Sequence, residues 1–278
     1  MQSVIRMTLP VLPEYAGVVV KPRAKDYLVD GERYARVTTA LGIINKPALP
    51  AWAARVALEK VATVLRNPDV CRELALALEE TPESYDEFVD LLIERARKAP
   101  NETRDERGEA GTETHRLIQE VVELASDEKN RDEYLKSVDA PYLPAVTAAL
   151  RFLYDYNIEV LETERVVWLP EMKVAGTIDG VGMRHGKVVI WDWKTSASIY
   201  WETALQLGAY SHLLEELTGE YVFEAFAVRL PRQGDEGGYE ARRLSTGSLI
   251  DAWEAYVSAL SLKHASNQTW WEEGDEGN

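Results

Sequence analysis

The sequence predicts an α/β protein whose central mixed sheet is flanked by helices and preceded by a helical N-terminal region. Apolar residues recur with helical spacing through much of the first half of the chain. Residues 162–193 are instead rich in Val, Ile, Trp and Thr, which is typical of strands. The strand–helix alternation of a doubly wound nucleotide-binding fold is missing, so we expect a mixed or mainly antiparallel sheet.

The individual elements follow from periodicity and from turn residues. Residues 1–30 contain three prolines and are expected to form an extended arm or edge strands. The polar stretch 100–108 is predicted to be a connector between two helices. The first helices are predicted at 50–65, 68–80, 84–98, 112–125 and 143–156. The later elements are predicted as strands at 162–170, 173–183, 187–193, 220–230 and 238–244, and as helices at 199–217 and 246–264.

This order of elements divides the chain into three predicted parts. Residues 1–108 are expected to form an N-terminal arm and a helical region packed on the core. Residues 109–264 are expected to form the core itself. Residues 265–278 end in an acidic, glycine-containing segment and are predicted to be a loose tail.

Composition excludes several classes of protein. The chain has 278 residues, of which 46% are hydrophobic and 28% charged, so it is not mainly disordered. No apolar run reaches the ~18 residues that span a bilayer, and a soluble intracellular protein is expected. The single cysteine, Cys71, rules out an internal disulfide framework and a four-cysteine iron–sulfur cluster. The net charge of −16 argues against broad adhesion to nucleic acid, but it leaves room for cations gathered in one groove.

A predicted β-hairpin brings two carboxylates together. His185 and Gly186 suit a two-residue hairpin loop, because both residues tolerate a positive φ. If the residues that flank this loop pair with each other, Asp179 lies directly opposite Asp192. Opposed residues share a face of the sheet, with Cβ atoms roughly 4.5–5.5 Å apart. Lys194 lies two residues beyond Asp192 and therefore joins the same face.

Two like charges in this position destabilise a bare sheet, and a divalent cation between them would offset the repulsion. Two carboxylates and an ammonium group around a metal are suited to phosphodiester hydrolysis, because the metal polarises the phosphate and lowers the pKa of a bound water. The alternative is an exposed charge pattern with Asp179 in a turn. Flanking Val, Ile and Trp residues indicate a strand buried on both sides, which favours the site.

Four segments together resemble the PD-(D/E)XK nuclease superfamily, in particular its RecB-like exonuclease branch, which includes phage and mitochondrial genome-maintenance exonucleases. The segment GTID and the later DWKTS are similar to the second and third motifs of that branch, although Ile178 replaces the proline of the superfamily name. AGTETH, which ends at His115, resembles the first motif, and QLGAY resembles the QxxxY motif. The resemblance implies a restriction-endonuclease-like core.

The resemblance also implies roles for individual residues. His115, Asp179, Asp192 and the carbonyl of Trp193 would ligate Mg²⁺ or Mn²⁺, and Lys194 would position or activate the attacking water. Glu164 is a further candidate, since related enzymes often carry a Glu on the preceding strand; an exposed strand residue is the alternative. DNA contacts are implied for Gln206, Tyr210 and Thr195.

We therefore predict a metal-dependent DNA exonuclease that acts on single-stranded ends in recombination, repair or phage DNA metabolism. Its expected partners are DNA and recombination or replication proteins, and its expected location is the cytoplasm of a bacterial or phage-infected cell. Two alternatives remain open: a structure-specific endonuclease that cuts flaps or nicks, and a catalytically silent module that binds DNA ends.

Overall fold

The computed structural model describes residues 8–44, 46–80, 82–124, 128–232, 235 and 237–268. The eight strands are β1 (Val20–Pro22), β2 (Asp26–Val29), β3 (Glu32–Arg36), β4 (Glu159–Leu169), β5 (Val174–Arg184), β6 (Lys187–Lys194), β7 (Val222–Arg229) and β8 (Glu240–Ser245). The α-helices are α1 (Val37–Ala40), α2 (Ala48–Leu65), α3 (Pro68–Glu80), α4 (Pro82–Glu123), α5 (Glu128–Ser137), α6 (Leu143–Asp155), α7 (Glu202–Thr218) and α8 (Thr246–Ala265). Most of the predicted tail at 265–278 lies outside the described residues.

Contacts divide the chain into two units, with residues 1–44 and 114–278 in the first and residues 45–113 in the second. The first unit contains the whole sheet, including β1–β3, and the second is helical. The boundary predicted at residue 108 stays a prediction. None of the described helices has the length and apolar character that a membrane span needs.

The sheet is mixed, as predicted, and it forks at β5. Its strands follow the order β1-β2-β3-β5-β6-β7-β8, and β4 pairs with β5 from the other edge. The β3–β5 and β6–β7 pairs are parallel and the others are antiparallel. On one edge of β5, β3 pairs only with Val174 and Ala175, whereas β6 pairs with residues 180–184. The two neighbours therefore leave residues 176–179 of β5 between them.

Apolar side chains cover both faces of β6, which explains why its charged end is also enclosed. All residues from Val188 to Trp193 are buried. Val188 and Ile190 pack in a core with α7 and α8, whereas Val189, Trp191 and Trp193 pack in a second core against α6 and the end of α4. The expectation of a strand buried on both sides is confirmed.

The predicted connector at 100–108 is wrong, because these residues form the middle of α4. Pro100 removes one backbone hydrogen bond from the helix, but that cost is local. The residues around it favour helix, and the ammonium of Lys98 lies 3.5 Å from the carboxylate of Glu94 one turn earlier. A continuous helix of 42 residues therefore replaces the two predicted ones. The short helix α5 was not predicted.

Candidate active site

The hairpin between β5 and β6 has the predicted register. His185 and Gly186 have φ of 51° and 72°, and Arg184 pairs with Lys187 across the turn. The ladder continues to the pair Gly180–Trp191. Beyond it, the amide of Trp193 donates a hydrogen bond of 2.6 Å to Oδ2 of Asp179. The side chain of Asp179 therefore takes the place of a backbone partner where the two strands separate.

Helix α7 packs into the fork of the sheet. The ring of Tyr210 lies so close to Gly176 that a Cβ at that position would overlap it. This contact explains the glycine of the GTID segment, because any larger residue would collide with Tyr210. The sequence alone does not predict this dependence of one residue on the other. The fork leaves Asp179 at its open end, with its side chain only 10% exposed.

His115, Glu164 and Asp179 come together at this opening. Each residue offers one ligand atom, and these atoms lie within 4.8 Å of one another. Nδ1 of His115 is 3.5 Å from Oδ1 of Asp179. Glu164 lies opposite Asp179, because the residues on either side of it pair with Gly180 and Ile178 of β5. Its φ of 52° is unusual for a strand residue and is a form of strain found at functional sites.

Asp192 belongs to a second, adjoining network. Its carboxylate forms an ion pair with the ammonium of Lys194 and accepts a 2.8 Å hydrogen bond from Nε2 of Gln206. Lys194 also donates to Oε1 of Gln206 at 3.0 Å, so the amide joins the two charged groups. Nε2 of Gln206 is 3.2 Å from the hydroxyl of Tyr210. Gln206 and Tyr210, which their i, i+4 spacing predicts on one helix face, thus both contact this network.

The predicted ligand set is thus divided between two neighbouring networks. In the described part of the chain, the group of side chains that could hold a metal ion is His115, Glu164 and Asp179, and Asp192 lies beside it. Thr195 follows the end of β6 and is partly buried. The ligand roles, including that of the Trp193 carbonyl, and the DNA contacts stay predictions.

His115 and Asp179 each favour the charged form of the other. Burial lowers the pKa of His115, but the carboxylate of Asp179 outweighs it and the pKa rises to about 9. Burial raises the pKa of Asp179, but the charges of His115 and Lys194 bring it below its ordinary value. These two residues form a favourable ion pair at neutral pH.

The ionised forms of the other two carboxylates, Glu164 and Asp192, are disfavoured, and their pKa values are raised. Desolvation of its carboxylate and the charge of Asp179 raise the pKa of Glu164 to about 7. Burial and the charge of Asp179 raise the pKa of Asp192 to about 6, although the charge of Lys194 lowers it. Three crowded carboxylates beside one imidazole therefore form a site whose negative charge a divalent cation would relieve.

Gly180 provides a structural prediction at this site. A Cβ at this position would overlap the indole of Trp191, which is only 1% exposed. We expect Gly180→Ala to lower the free energy of unfolding by about 1–3 kcal/mol, because neither the ring nor the strand has room to move. Urea denaturation measures this change. Gly247→Ala is the control, since that glycine lies in the first turn of α8 with no neighbouring atom within 4 Å of the added carbon.

Comparisons with known proteins found a matching family and similar solved structures. The family model of the PD-(D/E)XK nuclease superfamily matches residues 76–274. Two similar solved structures are the crystal structure of SSO0001 and that of LHK-Exo in complex with dAMP. The first is 16% identical, with 52% of this chain and 74% of that chain covered and a TM-score of 0.23. The second is 13% identical, with 54% and 87% covered and a TM-score of 0.27. Both TM-scores are too low to carry an argument, and no curated protein matches.

The matched range covers more than half of the chain and contains every residue of the two networks at the fork. The GTID segment lies on β5, DWK lies at the end of β6, and QLGAY lies on α7. This chain belongs to the PD-(D/E)XK nuclease superfamily.

Proposed function

We propose that this chain is a metal-dependent DNA exonuclease that acts on single-stranded ends. The observation that carries the proposal is the fork of the sheet, where Asp179, Asp192 and Lys194 meet with His115 and Glu164. Its side chains are of the kinds that phosphodiester hydrolysis requires. The preference for single-stranded ends rests on the resemblance to the RecB-like branch.

The donor set suits a divalent metal ion. His115, Glu164 and Asp179 would hold it, with Asp192 beside them, and a mixed nitrogen and oxygen set suits Mn²⁺ as well as Mg²⁺. The raised pKa values of Glu164 and Asp192 support the fit, since burial and the nearby charge of Asp179 disfavour their ionised forms, which a bound cation would favour. When bound, such an ion would polarise the phosphate and lower the pKa of a water molecule.

The chain's own residues would supply orientation and charge. Burial lowers the pKa of Lys194, but Asp192 and Asp179 outweigh it and keep the ammonium charged at neutral pH. A charged lysine would stabilise the negative charge that develops on the phosphate, rather than remove a proton. Gln206 would hold the ammonium in place, because its amide contacts both Lys194 and Asp192.

Labelled DNA of three forms tests the proposal. Linear single strands, linear duplexes and closed single-stranded circles are incubated with Mg²⁺, Mn²⁺ or EDTA. We expect linear single strands to be shortened from an end in Mg²⁺ or Mn²⁺, circles to stay intact, and EDTA to stop the reaction. Cutting of circles would favour the endonuclease, and binding without cleavage of any substrate would favour the silent module.

The wider setting is part of the same proposal. An enzyme that shortens single-stranded ends would act in recombination, repair or phage DNA metabolism, in the cytoplasm of a bacterial or phage-infected cell. Recombination or replication proteins would then be its partners. This part rests on the branch resemblance alone.

A further inference from the structure

Two aromatic side chains are exposed in the segment that leads from β6 to α7. Tyr200 is 46% exposed and Trp201 is 62% exposed. Adjacent aromatic residues with this much free surface are unusual, because large apolar side chains normally gain free energy by burial. The mechanism proposed above does not use them.

This segment begins and ends at the proposed active site. Lys194 precedes it and Gln206 follows it, and the two side chains are joined by a hydrogen bond of 3.0 Å. Trp201 is the N-cap residue of α7 and precedes Gln206 by five residues, or about 7.5 Å of helix rise. Because Gln206 contacts Lys194, the exposed aromatic pair lies close to the charged end of β6.

The backbone of the aromatic pair is fixed from both sides. Ile199 and Thr203, which flank it, are only 7% and 5% exposed. The amide of Thr203 donates to the carbonyl of Tyr200 at 3.0 Å, and that of Ala204 donates to the carbonyl of Trp201 at 3.0 Å. The start of α7 thus holds the segment while both rings stay accessible to solvent.

We propose that Tyr200 and Trp201 form a stacking platform for unpaired nucleobases of the DNA strand that enters the active site. The platform rests on the proposed function and deepens it, because it names what selects the strand. Base faces are free for stacking only when the bases are unpaired and unstacked, whereas in a duplex neighbouring base pairs cover them. Stacking is tolerant of sequence, as an exonuclease that passes along a strand requires.

The platform also fits the charge of the protein. The chain carries a net charge of −16, which argues against a broad basic surface as the source of affinity for DNA. In the described part of the chain, the arginines of β7 and β8 are engaged in ion pairs, including Arg229 with Glu240 and Arg243 with Glu224. Stacking needs no positive charge and falls little with added salt.

Binding and cleavage by the full-length protein test the platform separately. We expect Trp201→Ala to weaken binding of a fluorescein-labelled dT12 strand in Ca²⁺ by about 5- to 150-fold, which corresponds to the loss of one base–aromatic stack. Tyr200→Ala should weaken it in the same direction, and Trp201→Phe should retain most of the affinity. The Trp201 side chain makes no cap hydrogen bond at the start of α7, so its loss should leave the helix intact.

The matched control is Tyr154→Ala, which removes an aromatic side chain that is 85% exposed on α6. It should bind dT12 as the wild type does. A set of oligonucleotides with one abasic position each provides a second readout. At the stacked position, the abasic site should weaken binding to the wild type but weaken binding to Trp201→Ala much less.

The outcomes separate the two proposals. A wild type that binds dT12 but cuts no DNA would remove the exonuclease and leave the platform in place, provided that Trp201→Ala binds more weakly. A wild type that does not bind dT12, or a Trp201→Ala variant with wild-type affinity, would overturn the platform. Equal weakening for dT12 and for a blunt duplex would overturn it too, since paired bases offer no free face.

Discussion

Replacing Lys194 by Ala is expected to lower kcat on single-stranded DNA by about 10²–10³-fold, the usual cost of removing one electrostatic stabiliser of a transition state. The ammonium forms an ion pair with Asp192 and accounts for the positive charge of that network. Affinity for Mn²⁺ should change little, because the group formed by His115, Glu164 and Asp179 does not include the lysine. Single-turnover kinetics and Mn²⁺ titration calorimetry measure the two quantities.

Lys187→Ala is the matched control for this variant. Lys187 begins the same strand, but it lies at the hairpin turn, with its ammonium 3.7 Å from the centre of the Phe223 ring. Loss of Lys194 also leaves Asp192, only 3% exposed, without its counter-ion, so thermal melting must accompany the assay. Lys194→Arg keeps the charge and serves as a second variant. A folded Lys194→Ala protein with near-normal kcat would remove the lysine from the mechanism.

The hairpin could be read from the sequence because its determinants are local. Gly186 and His185 fix the turn, and the turn fixes which residues of β5 and β6 face each other. The alternation of Val, Ile and Trp along β6 then predicts which face carries Asp192 and Lys194. The fold class followed from the same short-range patterns.

Other features depend on contacts that no local pattern encodes. The pairing of Glu164 with Asp179 follows from the register between β4 and β5, which are joined by the 3₁₀ turn Pro170–Met172 rather than by a two-residue loop. The contacts of Gln206 with Asp192 and Lys194 depend on how α7 packs into the fork. The connector predicted at 100–108 is wrong because the polar residues of this stretch include strong helix formers, and the one proline removes only one backbone hydrogen bond.

Because of those longer-range contacts, the carboxylates of Asp179 and Glu164 have opposite effects on the stability of the metal-free protein. Asp179 has a lowered pKa. Burial raises it, but the charge of His115 and the hydrogen bond donated by the Trp193 amide favour the ionised carboxylate. Glu164 has a raised pKa, because burial and the charge of Asp179 outweigh the favourable charge of His115. A bare pair of aspartates, considered from the sequence, gives no reason to expect this difference.

In metal-free buffer at pH 8, we expect Asp179→Asn to lower the free energy of unfolding by about 2 kcal/mol, the contribution of a hydrogen bond to a charged group. Glu164→Gln should raise it by up to about 1 kcal/mol, a value reduced for the solvent exposure of that residue. Chemical denaturation measures both changes. Glu159→Gln, which alters an exposed carboxylate at the start of the same strand, is the control.

The dependence on pH follows from the direction of each pKa shift. The contribution of Asp179 is present above its ordinary pKa of 3.8 and is lost as the pH falls through its lowered value. The contribution of protonated His115 is complete below its ordinary pKa of 6.5 and is lost as the pH rises through about 9, so the deficit of Asp179→Asn should shrink at pH 10. The raised pKa of Glu164 costs stability progressively as the pH rises above its ordinary value of 4.5, and the cost is complete above about 7, so the gain of Glu164→Gln should vanish at pH 4.

Added Mn²⁺ should change the sign of the Glu164→Gln effect, so that both variants become less stable than the wild type. A ligand that binds only the native state stabilises it by about 2.7 kcal/mol at a concentration of 100 Kd. The wild type should gain this stability, and both Asp179→Asn and Glu164→Gln should lose most of the gain, because each removes a charged ligand atom from the group that includes His115. If Glu164→Gln kept the full Mn²⁺-dependent rise in Tm, Glu164 would not be a ligand, and its strained backbone would need another explanation.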